Sequence, residues 1–317
     1  MSRVAAIVLA ALALPSSALA GGPSYVAQGG LGILSKDGKN RFVALSTGGG
    51  TAIARIAVHG GAVHGWATLD GEWGIPQPTF SATRLEGLTR DGKRLIVGSV
   101  GFASPARFAL INTQNLRVRE NLSLDGRFAY DALSPDGKTL YLTQYVDADN
   151  ISRYVVRAYD LEQQRLLPGR VAEKAQRGWV MEGFAVTRAT SADGRWVYTL
   201  FMRPGGYPFV HALDTVKGAA HCIGLPWRAG KQDALLNMRM TLANGEGALV
   251  FHWKSGKQWL SVDTATWKIT HPTLSNSFPW RWVVISVMGL LGLLVVAGTI
   301  GRRRFVRHAE EALPQAL

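Results

Sequence analysis

Leu133-Ser134-Pro135-Asp136-Gly137-Lys138-Thr139-Leu140-Tyr141-Leu142-Thr143 joins a tight turn to a short strand. Asp-Gly supplies the positive φ angles of a two-residue hairpin turn, so the flanking segments are expected to run antiparallel. Leu140, Tyr141 and Leu142 are apolar on successive positions, hence on both faces of a strand. Such a strand belongs between two packed layers, not at a half-wet surface. The signal recurs at Lys36-Asp37-Gly38-Lys39, Arg90-Asp91-Gly92-Lys93, Ala192-Asp193-Gly194-Arg195 and Ala243-Asn244-Gly245-Glu246. The five Asp/Asn positions are 54, 45, 57 and 51 residues apart. β-Formers follow each turn, among them Phe42-Val43-Ala44, Leu95-Ile96-Val97, Trp196-Val197-Tyr198 and Leu249-Val250-Phe251.

A second mark follows about twenty residues after each of the last four turns. It reads Leu110-Ile111-Asn112-Thr113, Ala158-Tyr159-Asp160-Leu161, Ala212-Leu213-Asp214-Thr215 and Ser261-Val262-Asp263-Thr264. Each is a strand ending in Asx, whose side chain bonds the backbone two residues on and starts a turn. Fourth strands are expected over 118–124, 166–171, 221–225 and 267–274. The first unit has the strand spacing (51–58 and 63–69) but lacks the Asx mark. Each unit is thus four antiparallel strands over roughly fifty residues, and one such sheet cannot bury both faces alone. The units must stack or close into a ring. Residues 70–84 do not fit the period and are either an extra hairpin or a degenerate sixth unit. A two-sheet sandwich is the alternative, disfavoured by the regular spacing.

The run Leu133–Thr143 followed by Tyr159-Asp160-Leu161 resembles the YVTN-type repeats of secreted β-propellers, over about residues 31–275. The resemblance implies an all-β propeller of four-stranded blades; five repeats are counted and a sixth is possible. It implies no particular activity, because that architecture hosts enzymes, receptors and scaffolds alike.

The ends of the chain point to export. Arg3, the apolar run Val4–Leu14, the break at Pro15-Ser16-Ser17 and the small residues Ala18-Leu19-Ala20 read as a signal peptide over 1–20. Trp282–Ile300 is nineteen residues without a charge, flanked by Trp280 and followed by Arg302, Arg303, Arg304 and Arg307. That length spans about 28 Å as a helix, close to one hydrocarbon core. Positive residues stay cytoplasmic, so the tail 301–317 is expected inside and the bulk outside the cell membrane. The organisation is therefore a signal at 1–20, a propeller at 21–275, a linker at 276–281, a span at 282–300 and a basic tail. This layout is similar to that of bacterial envelope proteins of the same signal, propeller and C-terminal anchor type.

The formal charge is +13. Arg3 carries one of these charges and the tail from 302 a net two, leaving about ten on the exported part. A surface of that sign could suit an anionic envelope polymer or an envelope protein as partner, but no Lys/Arg run is present and scattered solubilising charge is the favoured reading. Nucleic acid requires a clustered basic stripe and is not expected. Cys222 is the single cysteine, so no intramolecular disulfide forms. Its neighbour His221 points to the opposite face of a strand, and Cys222 reads as a buried, inert thiol.

Five residues before each turn Asp or Asn stand Gly32, Glu86, Asp131, Arg188 and Arg239. In a propeller this position lies on the inner strand, so the four charges are expected around the central channel. They either neutralise one another in a structural network or hold an anionic or sugar-like small ligand. No cofactor is implied. His59, His64, His211, His221 and His252 lack carboxylate or Cys partners at ligand spacing, and no metal site is expected. Ser46-Thr47-Gly48-Gly49-Gly50-Thr51 lacks the Gly-Lys-Ser/Thr ending of a phosphate loop and reads as a hairpin tip. No nucleophile elbow or local nucleophile–base pair is present, so a binding or scaffold module is favoured over an enzyme.

Overall fold

Residues 26–80, 85–173, 178–227 and 231–271 are described by the computed structural model, and they form five antiparallel sheets in chain order. A short strand β1 (Val26–Ala27) precedes the first sheet, made of β2 (Ile33–Leu34), β3 (Asn40–Ser46), β4 (Gly50–Ala57) and β5 (Val63–Asp70). The second holds β6 (Trp73–Pro76), β7 (Arg94–Ser99), β8 (Ala106–Asn112) and β9 (Val118–Leu124), with β1 added beside β6. The third holds β10 (Arg127–Leu133), β11 (Thr139–Tyr145), β12 (Arg153–Asp160) and β13 (Arg165–Leu166), and β14 (Met181–Glu182) pairs the start of β12. The fourth is β15 (Phe184–Thr190), β16 (Trp196–Met202), β17 (Phe209–Asp214) and β18 (Ala219–Gly224). The fifth is β19 (Met238–Ala243), β20 (Ala248–Trp253), β21 (Gln258–Asp263) and β22 (Ile269–Thr270). The signal at 1–20, the linker, the span at 282–300 and the tail lie outside the described residues. Among the described residues, no helix is long and apolar enough to cross a membrane.

Alternation along each second strand places successive side chains in different cores. Leu95 and Val97 of β7 pack with Phe42 and Ile53 of the first sheet, while Ile96 between them packs with Leu140 and Leu142 of the third. Tyr141, between those two leucines, faces Val197 and Leu213 of the fourth sheet. Tyr198 and Leu200 then turn to Met240 and Phe251 of the fifth. Four apolar seams therefore hold five sheets face to face, which is the blade packing of a β-propeller. Each fully buried aliphatic side chain contributes about 1.5–3 kcal/mol, and every blade needs a neighbour to realise it.

The turns differ from the two-residue form that Asp-Gly suggests. Residues 36–39, 90–93, 135–138 and 192–195 are four-residue loops in which Gly has positive φ and Asp does not. The aspartate is used as an acceptor instead. Asp136 Oδ1 takes the Ser134 hydroxyl at 2.6 Å and the Lys138 N–H at 3.0 Å, while Ser134 Oγ accepts the Thr139 N–H at 2.9 Å. Ser35/Asp37, Thr89/Asp91 and Ser191/Asp193 repeat the clasp with hydroxyl–carboxylate distances of 2.6–2.7 Å. The fifth turn has Leu242 where the others have the hydroxyl, and only there do the Asx and Gly residues both adopt positive φ, at 54° and 62°.

The Asx marks form turns as expected. Oδ1 of Asn112, Asp160, Asp214 and Asp263 accepts the N–H groups two and three residues on. Thr113, Thr215 and Thr264 donate their hydroxyls to the carbonyls of Gly92, Gly194 and Glu246, which ties the two turns of a blade together. Both turns therefore sit at one end of each blade, and the loops before the first strands sit at the other.

The aperiodic stretch after 70 belongs to the second blade and is not a sixth unit. β6 pairs β7 at Trp73↔Ser99, and the chain then leaves the sheet after Pro76. It returns at Glu86, whose N–H bonds the Pro76 carbonyl at 2.9 Å, and Leu88 resumes the pairing with Leu95. Gly87 holds φ of 99° there, and a Cβ would lie 2.7 Å from the Ile96 carbonyl oxygen.

Ser134→Ala should lower the stability of the full chain by about 1 kcal/mol, because the part-buried Thr139 N–H loses its acceptor and Asp136 one of its two donors. The Ser134 hydroxyl is the first cause holding the Asp136 carboxyl below its usual range. Stabilisation from a depressed carboxyl is present above the ordinary carboxylate pKa and is lost as pH falls through the folded value. The urea midpoint should therefore fall less between pH 7 and pH 3 in Ser134→Ala than in the unaltered chain, a comparison made by far-UV circular dichroism.

Candidate functional site

Arg188 lies on β15 and is only 6% exposed at its side chain. Its Nε donates to the Thr199 hydroxyl at 2.9 Å. Nη1 donates to Glu86 Oε2 at 3.1 Å and also to the Asp131 carbonyl, and Nη2 donates to Asp131 Oδ1. The carbonyl is free to accept because the register of β10 on β11 skips at Asp131, between Tyr130↔Leu142 and Ala132↔Tyr141. A bulged residue leaves the ladder and re-aims its groups, and here both are aimed at Arg188. Asp131 is 7% and Glu86 22% exposed at the side chain. Burial works against the Arg188 charge, but Glu86 and Asp131 outweigh it and hold the guanidinium above its ordinary pKa.

Three of the four expected charges therefore meet. Arg239 does not join them. It projects from the face of β19 opposite Met238 and Met240, which fill the seam with the fourth blade, and its Nη1 donates to the Met238 carbonyl at 2.9 Å. The reason is phase. Ser191 closes the fourth turn opposite Trp196, two residues before Asp193, whereas Ala243 closes the fifth opposite Ala248, one residue before Asn244. One residue of difference reverses the face on which a side chain emerges. Gly32 contributes backbone only: at φ of 64°, a Cβ would lie 2.2 Å from the Phe42 carbonyl oxygen.

The cluster is the middle of three ties between the second and fourth blades. Near the turn end, Arg90 donates to the Asp193 carbonyl. Near the opposite end, the Phe80 N–H bonds the Ala185 carbonyl at 3.0 Å and its ring meets Phe184 edge-on at 6.1 Å. Contacts at three levels thus join the second and fourth blades.

Sequence reasoning missed the residues behind this cluster. His211 and Cys222 lie directly opposite on β17 and β18, with Cys222 Sγ 3.7 Å from His211 Nδ1. Counting across the Asp214 turn would have paired them, whereas adjacency drew attention to His221. His221 instead faces Glu173 at 3.2 Å and stacks on Trp267. Burial lowers the pKa of His211, with Asp131 and Arg188 acting in opposite directions on it. Burial, then Glu173, pushes the half-buried Cys222 thiol up to about 11. Both groups are uncharged at neutral pH, so they do not form a thiolate–imidazolium pair. His59 is exposed, His64 bonds Asn40 Oδ1 at 2.8 Å, and His252 pairs Arg239 across strands. Ser46–Thr51 forms the tip between β3 and β4, as expected.

Two clefts open between the first and second blades. One, of about 490 Å³, is lined by Asp70, Trp73, Arg107, Asn121 and Ser123. The other, of about 480 Å³, is lined by Asp37, Asn40, Arg55, Asp91 and Gln114. Neither is lined by Glu86, Asp131 or Arg188.

No protein-family model matches this chain, and no curated protein matches it in sequence. Solved structures similar to it include the hydrazine synthase of Kuenenia stuttgartiensis, at 14% identity and TM-score 0.49 over 76% of this chain and 65% of that one. A putative TolB from Agrobacterium tumefaciens is 15% identical, with TM-score 0.41 over 75% and 78% of the two chains. The Dos1 propeller is 9% identical, with TM-score 0.44 over 77% and 58%. The likeness is one of fold alone. The chain spans less than two thirds of the hydrazine synthase and Dos1 chains.

Arg188→Ala should cost about 3–5 kcal/mol in denaturant unfolding, because it leaves Asp131 buried without its counter-charge. Arg239→Ala should change stability by no more than about 0.5 kcal/mol. Cys222 should react with iodoacetamide at pH 7.5 far more slowly in the folded chain than in urea, as followed by mass spectrometry.

Proposed function

We propose that this chain is an envelope protein of the YVTN-like secreted type, anchored by residues 282–300, whose propeller serves as an extracytoplasmic binding or scaffold module. The observation that carries the reading is the internal pairing of Arg188. Arg188 spends its donors on Glu86, Asp131 and Thr199, and the ties at Arg90 and Phe80 occupy the axis above and below it. A ligand at Arg188 would have to displace two carboxylates from a buried guanidinium, which is costly. Recognition is then assigned to the blade ends and rim, where an envelope protein or an anionic polymer is the fitting partner for the basic exported part. The sequence features at 1–20, 282–300 and 302–307 support export and a C-terminus inside.

The second reading is a receptor or enzyme for a small anionic or sugar-like ligand at the channel mouth, where Glu86 is the most accessible of the cluster. Crosslinking the full chain in its native membrane separates the two. The scaffold reading expects one macromolecular partner captured equally by the unaltered chain and by folded Glu86→Gln. Loss of a small ligand in Glu86→Gln, with fold intact and no macromolecule captured, would favour the receptor. A tag after Leu317 should resist protease added to whole cells and be digested once the membrane is permeabilised. Digestion in intact cells would overturn the anchoring.

A further inference from the structure

In the third and fourth blades the residue five before the Asx mark is apolar and turned toward the preceding blade. Phe209 joins the core between the third and fourth blades, and Val155 is buried on the face of β12 opposite Tyr154 and Val156. The second blade carries Arg107 at that position. Arg107 shares its face of β8 with Ala109 and Ile111, which fill the seam with the first blade. A cation thus stands where the repeat calls for a packing residue, at the 490 Å³ cleft between the first two blades.

The guanidinium meets no acid there. Its carbon lies 5.5 Å from the centre of the Trp73 ring, a cation–π contact that occupies no N–H donor. Among the described residues, Arg107 makes no hydrogen bond and no ion pair. Asp70 lines the cleft with its backbone, and its carbonyl accepts Trp73 Nε1 at 2.8 Å. Leu69 packs into the seam, so alternation sends the Asp70 carboxyl to the other face of β5. Glu120 lies opposite Leu110, on the face of the second blade turned toward the third. Arg188, by contrast, has all its donors engaged within the fold.

Unengaged polar groups stand beside Arg107. Ser123 is its direct partner on β9, and Asn121 lies opposite Ala109 on the same face. Both side chains are exposed and make no hydrogen bond among the described residues. Leu69 and Val118 supply apolar surface. Trp73 is 6% exposed and fixed from below, since its backbone N–H donates to the Thr51 hydroxyl at 2.8 Å. The platform under Arg107 is therefore set before any ligand arrives. The cleft volume falls within the range of about 300–1,000 Å³ usual for small-ligand sites.

We propose that this cleft binds a sugar unit bearing one negatively charged oxyanion, as in an acidic polysaccharide, with Arg107 pairing the anion and Asn121 and Ser123 meeting ring hydroxyls. A guanidinium fork matches a carboxylate or a phosphodiester through two parallel N–H donors. One cation balances one charge, and no second Lys or Arg lines the cleft. Arg55, farther along the same interblade groove, is engaged by the carbonyls of His64, Thr113 and Gln114. An extended peptide would pair a strand edge, whereas Arg107, Asn121 and Ser123 present side chains from a sheet face. The inference rests on the rim-binding reading for its partner class and on nothing about export or anchoring.

The test measures retention of the full chain, purified in detergent, on immobilised polygalacturonate and on a mannosyl phosphodiester polymer. Retention on at least one is expected, and whichever is stronger identifies the anion as carboxylate or phosphodiester. Methyl-esterified polygalacturonate should not retain the chain. Arg107→Ala should weaken retention at least about tenfold. Arg107→Lys should also weaken it, because lysine keeps the charge and loses the fork. Arg239→Ala removes the same charge elsewhere and should bind like the unaltered chain. Asn121→Ala and Ser123→Ala, each several-fold weaker, carry the comparison if Arg107→Ala loses its β-sheet circular dichroism. Equal loss in Arg107→Ala and Arg239→Ala would mean diffuse attraction to a basic surface and would overturn the site. Equal retention on poly-glutamate, with the same dependence on Arg107, would make the ligand an acidic peptide and overturn it too. A chain that captures an envelope protein by crosslinking but is held by neither polymer loses this site and keeps the scaffold reading.

Discussion

A strand whose side chains are apolar on both faces has no wet side, and that constraint organises the molecule. Ile96 and its neighbours Leu95 and Val97 belong to different seams, as do Tyr141 and the leucines flanking it. Burial energy is therefore shared between blades and not held within them. Removing one large side chain from such a strand opens a cavity at a seam, which costs about 2–5 kcal/mol and loosens two sheets at once. The turns do not need to supply stability on this scale. Their work is to set phase, so that each strand delivers the right faces to the right seams.

Electrostatics at the hub follows from the same packing. Inner strands converge where solvent is scarce, and a lone guanidinium there would be untenable. Arg188 is accommodated because two bulged or interrupted inner strands bring it an aspartate side chain, an aspartate carbonyl and a glutamate. Pairing of this kind is better at fixing an arrangement than at adding net stability, since desolvation offsets most of the attraction. It specifies which blades face one another across the axis, which apolar seams between adjacent blades do not do.

The sequence made the blades readable because their signals are local. Asp-Gly, Asx and the apolar triplets are each contained within a few residues, and five units were visible through them, the first without its Asx mark. The Ser/Thr two residues before each Asp was present in four turns yet passed unread, although it explains why Asp is not in the left-handed region there. Glu86, Asp131 and Arg188 were found by counting back from the turns. The same count misplaced Arg239, because the fifth turn has Leu242 in place of the Ser/Thr and closes one residue nearer its Asn, which reverses the face. His211 opposite Cys222, and Phe80 against Phe184, depend on contacts across strands or blades, where no short-range pattern reports them. The terminal segments at 1–20 and 282–300 rest on hydropathy and flanking charge, and the fold of the propeller does not bear on them.

The ties between the second and fourth blades join residues about a hundred positions apart in the chain. During synthesis, Glu86 and Asp131 emerge well before Arg188 exists to neutralise them. An amino-terminal fragment ending within the third blade carries two carboxylates destined for a dry interior with no cation to meet them, and must keep that region hydrated. The centre, unlike the two apolar seams among the first three blades, therefore cannot be completed until the fourth blade supplies Arg188.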